Sequence, residues 1–146
     1  MISLRIALLL LSISACSAQV VEPSNAGARD RWESSGIDSY QFHYKLNCFC
    51  FGPAVQGVTI VVKNGQVVQV ILDETDAPAD DIESFETIDT LFDQIDKFDK
   101  DEVYSYSATY DPDLGYPVFF AVDVDAMMAD EEWGFAVSNF SIIEPQ

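Results

Sequence analysis

One hairpin signal constrains the fold of this chain more than any other feature of the sequence. Two runs rich in β-branched residues, Val58–Lys63 and Gln66–Leu72, are separated only by Asn64 and Gly65. A two-residue connection of this kind forms a type I′ turn, in which both central residues have positive φ, and Asn followed by Gly adopts that geometry most readily. The two runs are therefore predicted to pair as antiparallel strands.

The remaining elements follow from hydrophobic periodicity. Residues 39–50 alternate between apolar and polar side chains, as in a strand with one buried face. Five apolar residues recur at helical spacing behind Thr87, which is a suitable N-cap: Ile88, Leu91, Phe92, Ile95 and Phe98. Further elements are predicted as a helix over residues 29–35, which Gly36 ends, and strands over residues 103–110, 117–124 and 133–142.

The order of these elements is α-βββ-α-βββ, with short connections between consecutive strands. Such connections favour an antiparallel sheet, and amphipathic helices must place their apolar side on it. Residues 58–62 and 118–124 are apolar on both faces, which indicates strong curvature or burial on both sides. We therefore predict an α+β fold in which helices pack on an antiparallel, strongly curved sheet.

The first 28 residues have the pattern of an export and anchoring segment. Arg5 precedes an aliphatic run over residues 6–13, which is shorter than the roughly 20 residues of a membrane-spanning helix. Residues 13–16, Ile-Ser-Ala-Cys, resemble the bacterial lipobox. The resemblance implies a signal peptide over residues 1–15, a diacylglycerol on Cys16, a tether over residues 16–28 and a single domain over residues 29–146.

The destination of such a lipoprotein depends on the residue after the lipidated cysteine. Ser17 stands where an inner-membrane retention signal has Asp, so the resemblance implies the outer membrane, facing the periplasm, if the host is Gram-negative. Two or more acyl chains would hold the protein to that membrane. The alternative is ordinary secretion, with cleavage near Ala18 and loss of Cys16.

The charge of the chain restricts its partners. Seven Lys and Arg stand against 25 Asp and Glu, which gives a formal net charge of −18. Nucleic acids and anionic lipids need a basic surface, so both are excluded as partners, whereas a basic protein or a divalent cation would be attracted. The alternative is that the acidic residues serve only to keep the protein soluble.

Cys48 and Cys50 form the first candidate site. In an oxidising compartment paired thiols become disulfides. The Cα atoms of residues i and i+2 in an ideal strand are about 6.6 Å apart, so a bridge between Cys48 and Cys50 requires a kink in the chain. The turn-forming residues 51–53, Phe-Gly-Pro, can supply it. The pair has the phase of the core, which favours a structural role, and a thiol redox function or Cu(I) binding is the alternative. His43 lies on the opposite face of the strand and is a poor third ligand.

Asp111, Asp113 and Asp123 form the second candidate site, for calcium. Alternating carboxylates followed by Gly115 resemble the start of a calcium loop, although the later ligands of such a loop are missing. The alternative is a simple turn, in which Pro112 fixes φ and Asp113 accepts backbone hydrogen bonds. Calcium is the one cofactor that the sequence suggests.

Motifs of known enzymes are absent from the sequence. It has no Gly-x-Ser-x-Gly nucleophile motif, no His-Glu-x-x-His zinc motif and no glycine loop for phosphate. With 25 acidic residues, proximity of two carboxylates is expected by chance. These observations favour a protein that is not an enzyme.

Several short motifs recur in an order that resembles a known family. They are Trp32, Ser39-Tyr40, Cys48-Phe49-Cys50, Asn64-Gly65, Thr87-Ile88, Leu91-Phe92, Tyr110-Asp111, Gly115-Tyr116-Pro117, Asp123 and Asp130-Glu131. Together they resemble a family of small bacterial secreted proteins and lipoproteins known only as a domain of unknown function. The resemblance covers residues 29–140 and implies a shared fold and an envelope location, but no activity.

The sequence therefore predicts a lipid-anchored envelope protein that acts as a binding module, and another envelope protein is the expected partner. One concrete version is capture of a basic hydrolase such as lysozyme, because the chain is strongly acidic. The alternative is a thiol redox or metal-binding protein that acts through Cys48 and Cys50.

Overall fold

The computed structural model describes residues 24–98, 100–128 and 130–144. Its helices are α1 (Asn25–Ser35), α2 (Pro53–Gln56) and α3 (Ile88–Ile95). Its strands are β1 (Tyr40–Cys48), β2 (Val58–Lys63), β3 (Gln66–Leu72), β4 (Ser105–Tyr110), β5 (Pro117–Asp123) and β6 (Trp133–Ile142). Among these described elements, no helix is both long and apolar enough to cross a membrane.

The strands form one open antiparallel sheet in the order β3-β2-β1-β6-β5-β4. This confirms the prediction of an α+β fold with an antiparallel sheet. The predicted order lacked the four-residue helix α2, which begins at Pro53 between β1 and β2. Strong curvature of the sheet stays a prediction. The first and last strands of the domain pair at the centre of the sheet, so that the two hairpins lie on either side of them.

The predicted hairpin is confirmed at its turn and in its strands. Asn64 has φ 49° and Gly65 has φ 73°, the positive values that a type I′ turn requires. Pairing runs from Lys63 opposite Gln66 to Val58 opposite Leu72, with one irregularity between Val61 and Val62. The hairpin forms one edge of the sheet.

Helix α1 begins four residues earlier than predicted. The Ser24 hydroxyl accepts a hydrogen bond from the backbone N–H of Gly27 at 3.2 Å, so Ser24 caps the helix. Residues 25–28, which the sequence assigned to the tether, therefore belong to the domain, and Ala28 is fully buried. The predicted signal peptide, Cys16 and the tether as far as residue 23 lie outside the described residues.

Helix α3 begins where it was predicted to begin. The Thr87 and Thr90 side chains each accept a hydrogen bond from the other residue's backbone N–H, at 3.3 and 2.8 Å, which is a reciprocal cap. The helix ends at Ile95, before Phe98, and its four apolar residues are buried. The Arg29 guanidinium binds the carboxylates of Asp93 and Asp96, which joins α1 to α3.

The helices cover one face of the sheet. Tyr40, Phe42 and Tyr44 of β1 point into the core on that face, whereas Gln41 and Lys45 are exposed on the other. Where β1 begins, an aromatic cluster closes the core: Trp32, Tyr40, Tyr116 and Phe140. We call this region the closed end of the sheet.

Candidate functional site

A disulfide joins Cys48 to Cys50 where β1 ends. The two Cα atoms are 5.3 Å apart, less than the roughly 6.6 Å of an ideal strand and within the range that a disulfide accepts. The chain therefore bends at the position where the sequence suggested a kink. The pair does not belong to the core, however, because Cys50 is exposed and Cys48 only half-buried.

Large apolar side chains are exposed around this disulfide. Phe49 is 78% exposed and Phe51 is fully exposed, one on each side of Cys50. Met127 and Met128 are also exposed, and they lie in the connection between β5 and β6, at the same end of the sheet. We call this region, defined by Phe49, Phe51, Met127 and Met128, the open end.

A cleft of about 550 Å³ lies beside Phe51. It is bounded by the sheet, by α2 and the residues before it, by the segment before α3, and by the C-terminal part of α3. The lining consists of residues 51–55, residues 84–86, Tyr44, Leu46, Gln94, Phe98 and Trp133. A concave, mostly apolar space of this size is typical of a binding site.

A small polar group is set into the apolar lining. The Glu86 carboxylate accepts a hydrogen bond from the Gln94 amide Nε2 at 2.9 Å. The Gln94 amide oxygen in turn accepts one from Lys97 Nζ at 2.9 Å, which orients the amide. None of the ion pairs found among the described residues involves Glu86. Glu86 is thus a half-buried carboxylate that this part of the chain leaves without a counter-charge.

Tyr44 lies in the floor of the cleft and is only 5% exposed. Burial raises the pKa of its phenol well above the ordinary value, and the nearby charge of Glu86 raises it further. The phenol therefore stays protonated at neutral pH. Glu86 is then the single charged side chain among the described residues that line the cleft.

The structure separates Asp123 from the other two predicted calcium ligands, Asp111 and Asp113. The Asp111 carboxylate accepts hydrogen bonds from the backbone N–H groups of Asp113 and Leu114, at 3.0 and 2.7 Å, so it closes the turn. The sequence suggested Asp113 as the acceptor in this turn, whereas in the structure Asp111 accepts both hydrogen bonds. The turn of Asp111 lies beside the start of β5, and Asp123 is the last residue of that strand. Six residues of strand put Asp123 roughly 20 Å from the start of β5. No group of three candidate metal ligands occurs among the described residues, and calcium binding itself stays a prediction.

His43 contacts two residues that the sequence did not single out. Its Nε2 is 2.7 Å from Asp73 Oδ2, and its Nδ1 is 3.3 Å from Ser138 Oγ. These residue types match those of a hydrolytic triad, but here they lie on the uncovered face of the sheet. We assign them a structural role, because they tie the end of β3 and the middle of β6 to β1.

The cleft itself was not predicted. Its walls come from five separated stretches of chain, which only the tertiary fold brings together. One signal was present in the sequence: Phe49 and Phe51 are large apolar residues in a segment that ends a strand and forms a turn. The sequence assigned Tyr44 to the core and did not single out Glu86.

Comparisons with known proteins identify the family. No curated protein and no solved structure matches this chain. The model of DUF6174, a family of unknown function, matches residues 24–142, which begin at the N-cap of α1 and end with the last residue of β6. The match covers most of the chain, so the chain belongs to the family of unknown function DUF6174.

Proposed function

We propose that this domain is a binding module that captures another protein through its open end. The observation that carries the proposal is the pair of exposed aromatic side chains, Phe49 and Phe51, of which Phe51 lines the cleft. Exposed aromatic and methionine side chains next to a pocket are typical anchors of protein interfaces. Met127 and Met128 are exposed at the same end of the sheet and offer further apolar surface there.

The disulfide supports this proposal because it restricts the segment that carries both phenylalanines. An ordered segment loses less conformational entropy when it binds, so more of the contact energy remains as affinity. The short helix α2 follows directly and contacts β1, which fixes the other side of the segment. The segment that carries both phenylalanines is therefore already ordered in the unbound domain.

The proposal includes the lipid anchor on Cys16. Ser17 to Ser24 would then separate the lipid from the first residue of α1. Eight extended residues reach at most about 28 Å. That length would keep the domain within one domain diameter of the membrane, where it could meet other envelope proteins. Mass analysis of the protein isolated from its host, with and without lipase treatment, tests the anchor directly.

A basic protein is the partner that the charge favours, and lysozyme serves as the probe. Calorimetric titration should give binding to the wild-type chain and at least about tenfold weaker binding to Phe51→Ser. Phe119→Ser is the matched control, because Phe119 is also partly exposed but lies away from the open end, on β5. Equal binding by both variants would contradict the open end as the interface. No binding to the wild type would reject the capture of basic hydrolases.

A thiol redox or metal-binding role is the second candidate, and one observation favours it. Cys50 is exposed, as an exchanging disulfide requires. Thiol titration with and without mild reductant, followed by metal analysis of the same sample, separates the two candidates. A bridge that cycles readily or retains copper after reduction would favour this role, whereas a bridge that resists mild reductant would favour the binding module.

A further inference from the structure

We infer that the cleft binds an arginine side chain of a basic partner, with its apolar stem against the aromatic walls and its guanidinium against Glu86. This inference rests on the proposed function, because it names the group that the open end takes from its partner. The cleft combines an apolar lining with one uncompensated carboxylate. A ligand that fits both must have an apolar stem and a cationic head.

The first argument is the electrostatic state of Glu86. A carboxylate is destabilised when apolar groups replace its water, unless a cation or several hydrogen bonds compensate. Gln94 supplies one hydrogen bond, to Oε1, and no hydrogen bond to Oε2 is found in the part of the chain that the structure describes. The net charge of −18 adds repulsion to any anionic ligand and attraction to any cationic one. A cation in the cleft is therefore stabilised both by the local carboxylate and by the field of the whole chain.

The second argument is the fixed direction of the carboxylate. Lys97 donates to the Gln94 amide oxygen, so the amide must turn its NH₂ group toward Glu86. This chain of hydrogen bonds also keeps Lys97 engaged at the surface, where it is exposed. The acceptor is consequently oriented before a ligand enters, which reduces the entropy lost on binding.

The third argument selects arginine over lysine. The Phe98 and Trp133 rings stack at 5.9 Å between centroids, and both line the cleft together with Phe51 and Phe85. A planar guanidinium stacks on aromatic faces and can donate two hydrogen bonds to one group, whereas an ammonium is a compact and strongly hydrated charge. The cleft is larger than one side chain, so the apolar neighbours of the arginine should enter with it.

The experiment compares two peptides that differ only in the head group of one side chain, a cationic guanidinium or a neutral urea: acetyl-Leu-Arg-Leu-amide and acetyl-Leu-citrulline-Leu-amide. Binding to the full chain is followed by NMR at the two indole N–H groups. Trp133 lines the cleft and reports binding, while Trp32 is 2% exposed at the closed end and serves as an internal reference. We expect a shift at Trp133 alone and a dissociation constant at least about tenfold lower for the arginine peptide.

Two variants show whether Glu86 causes the preference. Glu86→Gln should abolish the difference between the peptides, while Glu144→Gln should retain it. Glu144 is a matched control because it is exposed and follows the end of β6 that pairs with the start of β1, far from the cleft. An unchanged Trp32 resonance shows that each variant is folded.

Each remaining outcome overturns the inference in a distinguishable way. Equal affinity for both peptides leaves the cleft as a binding site but removes arginine as its ligand. A preference that survives in Glu86→Gln assigns it to the net charge and not to the cleft. No shift at Trp133 with either peptide removes the cleft as the site, and the proposed function then stands or falls with the lysozyme titration of Phe51→Ser.

Discussion

The two ends of the sheet use the same kinds of side chain in opposite ways. At the closed end, Trp32 and Tyr40 are buried, and their ring centroids are 5.2 Å apart. Their polar atoms are also satisfied, since Trp32 Nε1 donates to Asp89 at 3.2 Å and the Tyr40 hydroxyl accepts from the Ile88 N–H at 3.0 Å. At the open end, the rings of Phe49 and Phe51 contact mostly solvent.

This difference separates scaffold from interface. Buried rings with satisfied polar atoms contribute to the free energy of unfolding, whereas exposed rings contribute little to it and remain available for contact. The contacts of the closed end hold α1 and α3 on the sheet. At the open end, a disulfide between Cys48 and Cys50, two positions apart in the sequence, restricts the segment that carries Phe49 and Phe51. Four predictions test how sharply the two ends divide these roles.

The largest difference in the free energy of unfolding is expected between a ring truncated at the closed end and a ring truncated at the open end. Trp32→Ala removes a ring that packs against Tyr40, Tyr116 and Phe140, so it should lower the free energy of unfolding by about 3–5 kcal/mol. Phe51→Ala should change it by less than about 0.5 kcal/mol, as expected for an exposed side chain. Urea denaturation followed by circular dichroism measures both. A loss above about 1 kcal/mol in Phe51→Ala would mean that the open end also stabilises the fold.

The next effect concerns the close approach of two backbones at the closed end. Gly115 has φ 85°, and a Cβ there would overlap the carbonyl oxygen of Ala28 in α1. Gly115→Ala should therefore lower the free energy of unfolding by about 2–4 kcal/mol, through positive φ and displacement of α1. Gly36→Ala is the control, because its φ is also positive but a Cβ there meets no atom within 4 Å. It should lose about 1 kcal/mol, and equal losses in urea denaturation would disprove the overlap.

A smaller effect should distinguish the two buried tyrosines of β1. Tyr40→Phe leaves the buried N–H of Ile88 without its acceptor and should cost about 1–3 kcal/mol at pH 7. Tyr44→Phe should be close to neutral, because no hydrogen bond of its hydroxyl is found among the described residues. Urea midpoints of the two variants give the comparison directly. A large loss in Tyr44→Phe would show that its hydroxyl has a structural partner, and the cleft floor would then belong to the scaffold.

Local signals explain which parts of the fold could be predicted. Asn64-Gly65 and Thr87 have specific backbone preferences, so the hairpin and the start of α3 were predicted correctly. The start of α1 was missed because its first four residues, Asn-Ala-Gly-Ala, have the composition of a linker, whereas the tertiary fold buries Ala28 and brings its carbonyl group close to Gly115. The pairing of β1 with β6 joins distant segments and has no local signal.

The candidate site divides in the same way. The bridge between Cys48 and Cys50 could be predicted because spacing and the following Phe-Gly-Pro are local features. Glu86 could not be distinguished from the other acidic residues, since what sets it apart is an apolar environment built by remote segments. Asp111 and Asp123 were grouped by sequence pattern alone, whereas in the fold Asp111 lies near the start of β5 and Asp123 at its end.

The smallest expected effect is on the pH dependence of stability. It tests whether Tyr44 in the cleft floor is as inaccessible to water as Tyr40 at the closed end. Burial raises the phenol pKa of both Tyr40 and Tyr44 above the ordinary value near 10. The unfolded chain loses these protons above pH 10 while the folded chain keeps them. The free energy of unfolding is therefore highest below pH 10 with respect to these two groups, and it falls as the pH rises toward the folded pKa values.

At pH 11 each phenol should lower the free energy of unfolding by about 1 kcal/mol. Tyr44→Phe should therefore be about 1 kcal/mol less sensitive than the wild type to a change from pH 8 to pH 11, measured by urea denaturation with phenolate absorbance recorded in parallel. Equal sensitivity would mean that Tyr44 ionises in the folded chain and that water reaches the cleft floor, so that the floor would differ in this respect from the closed end.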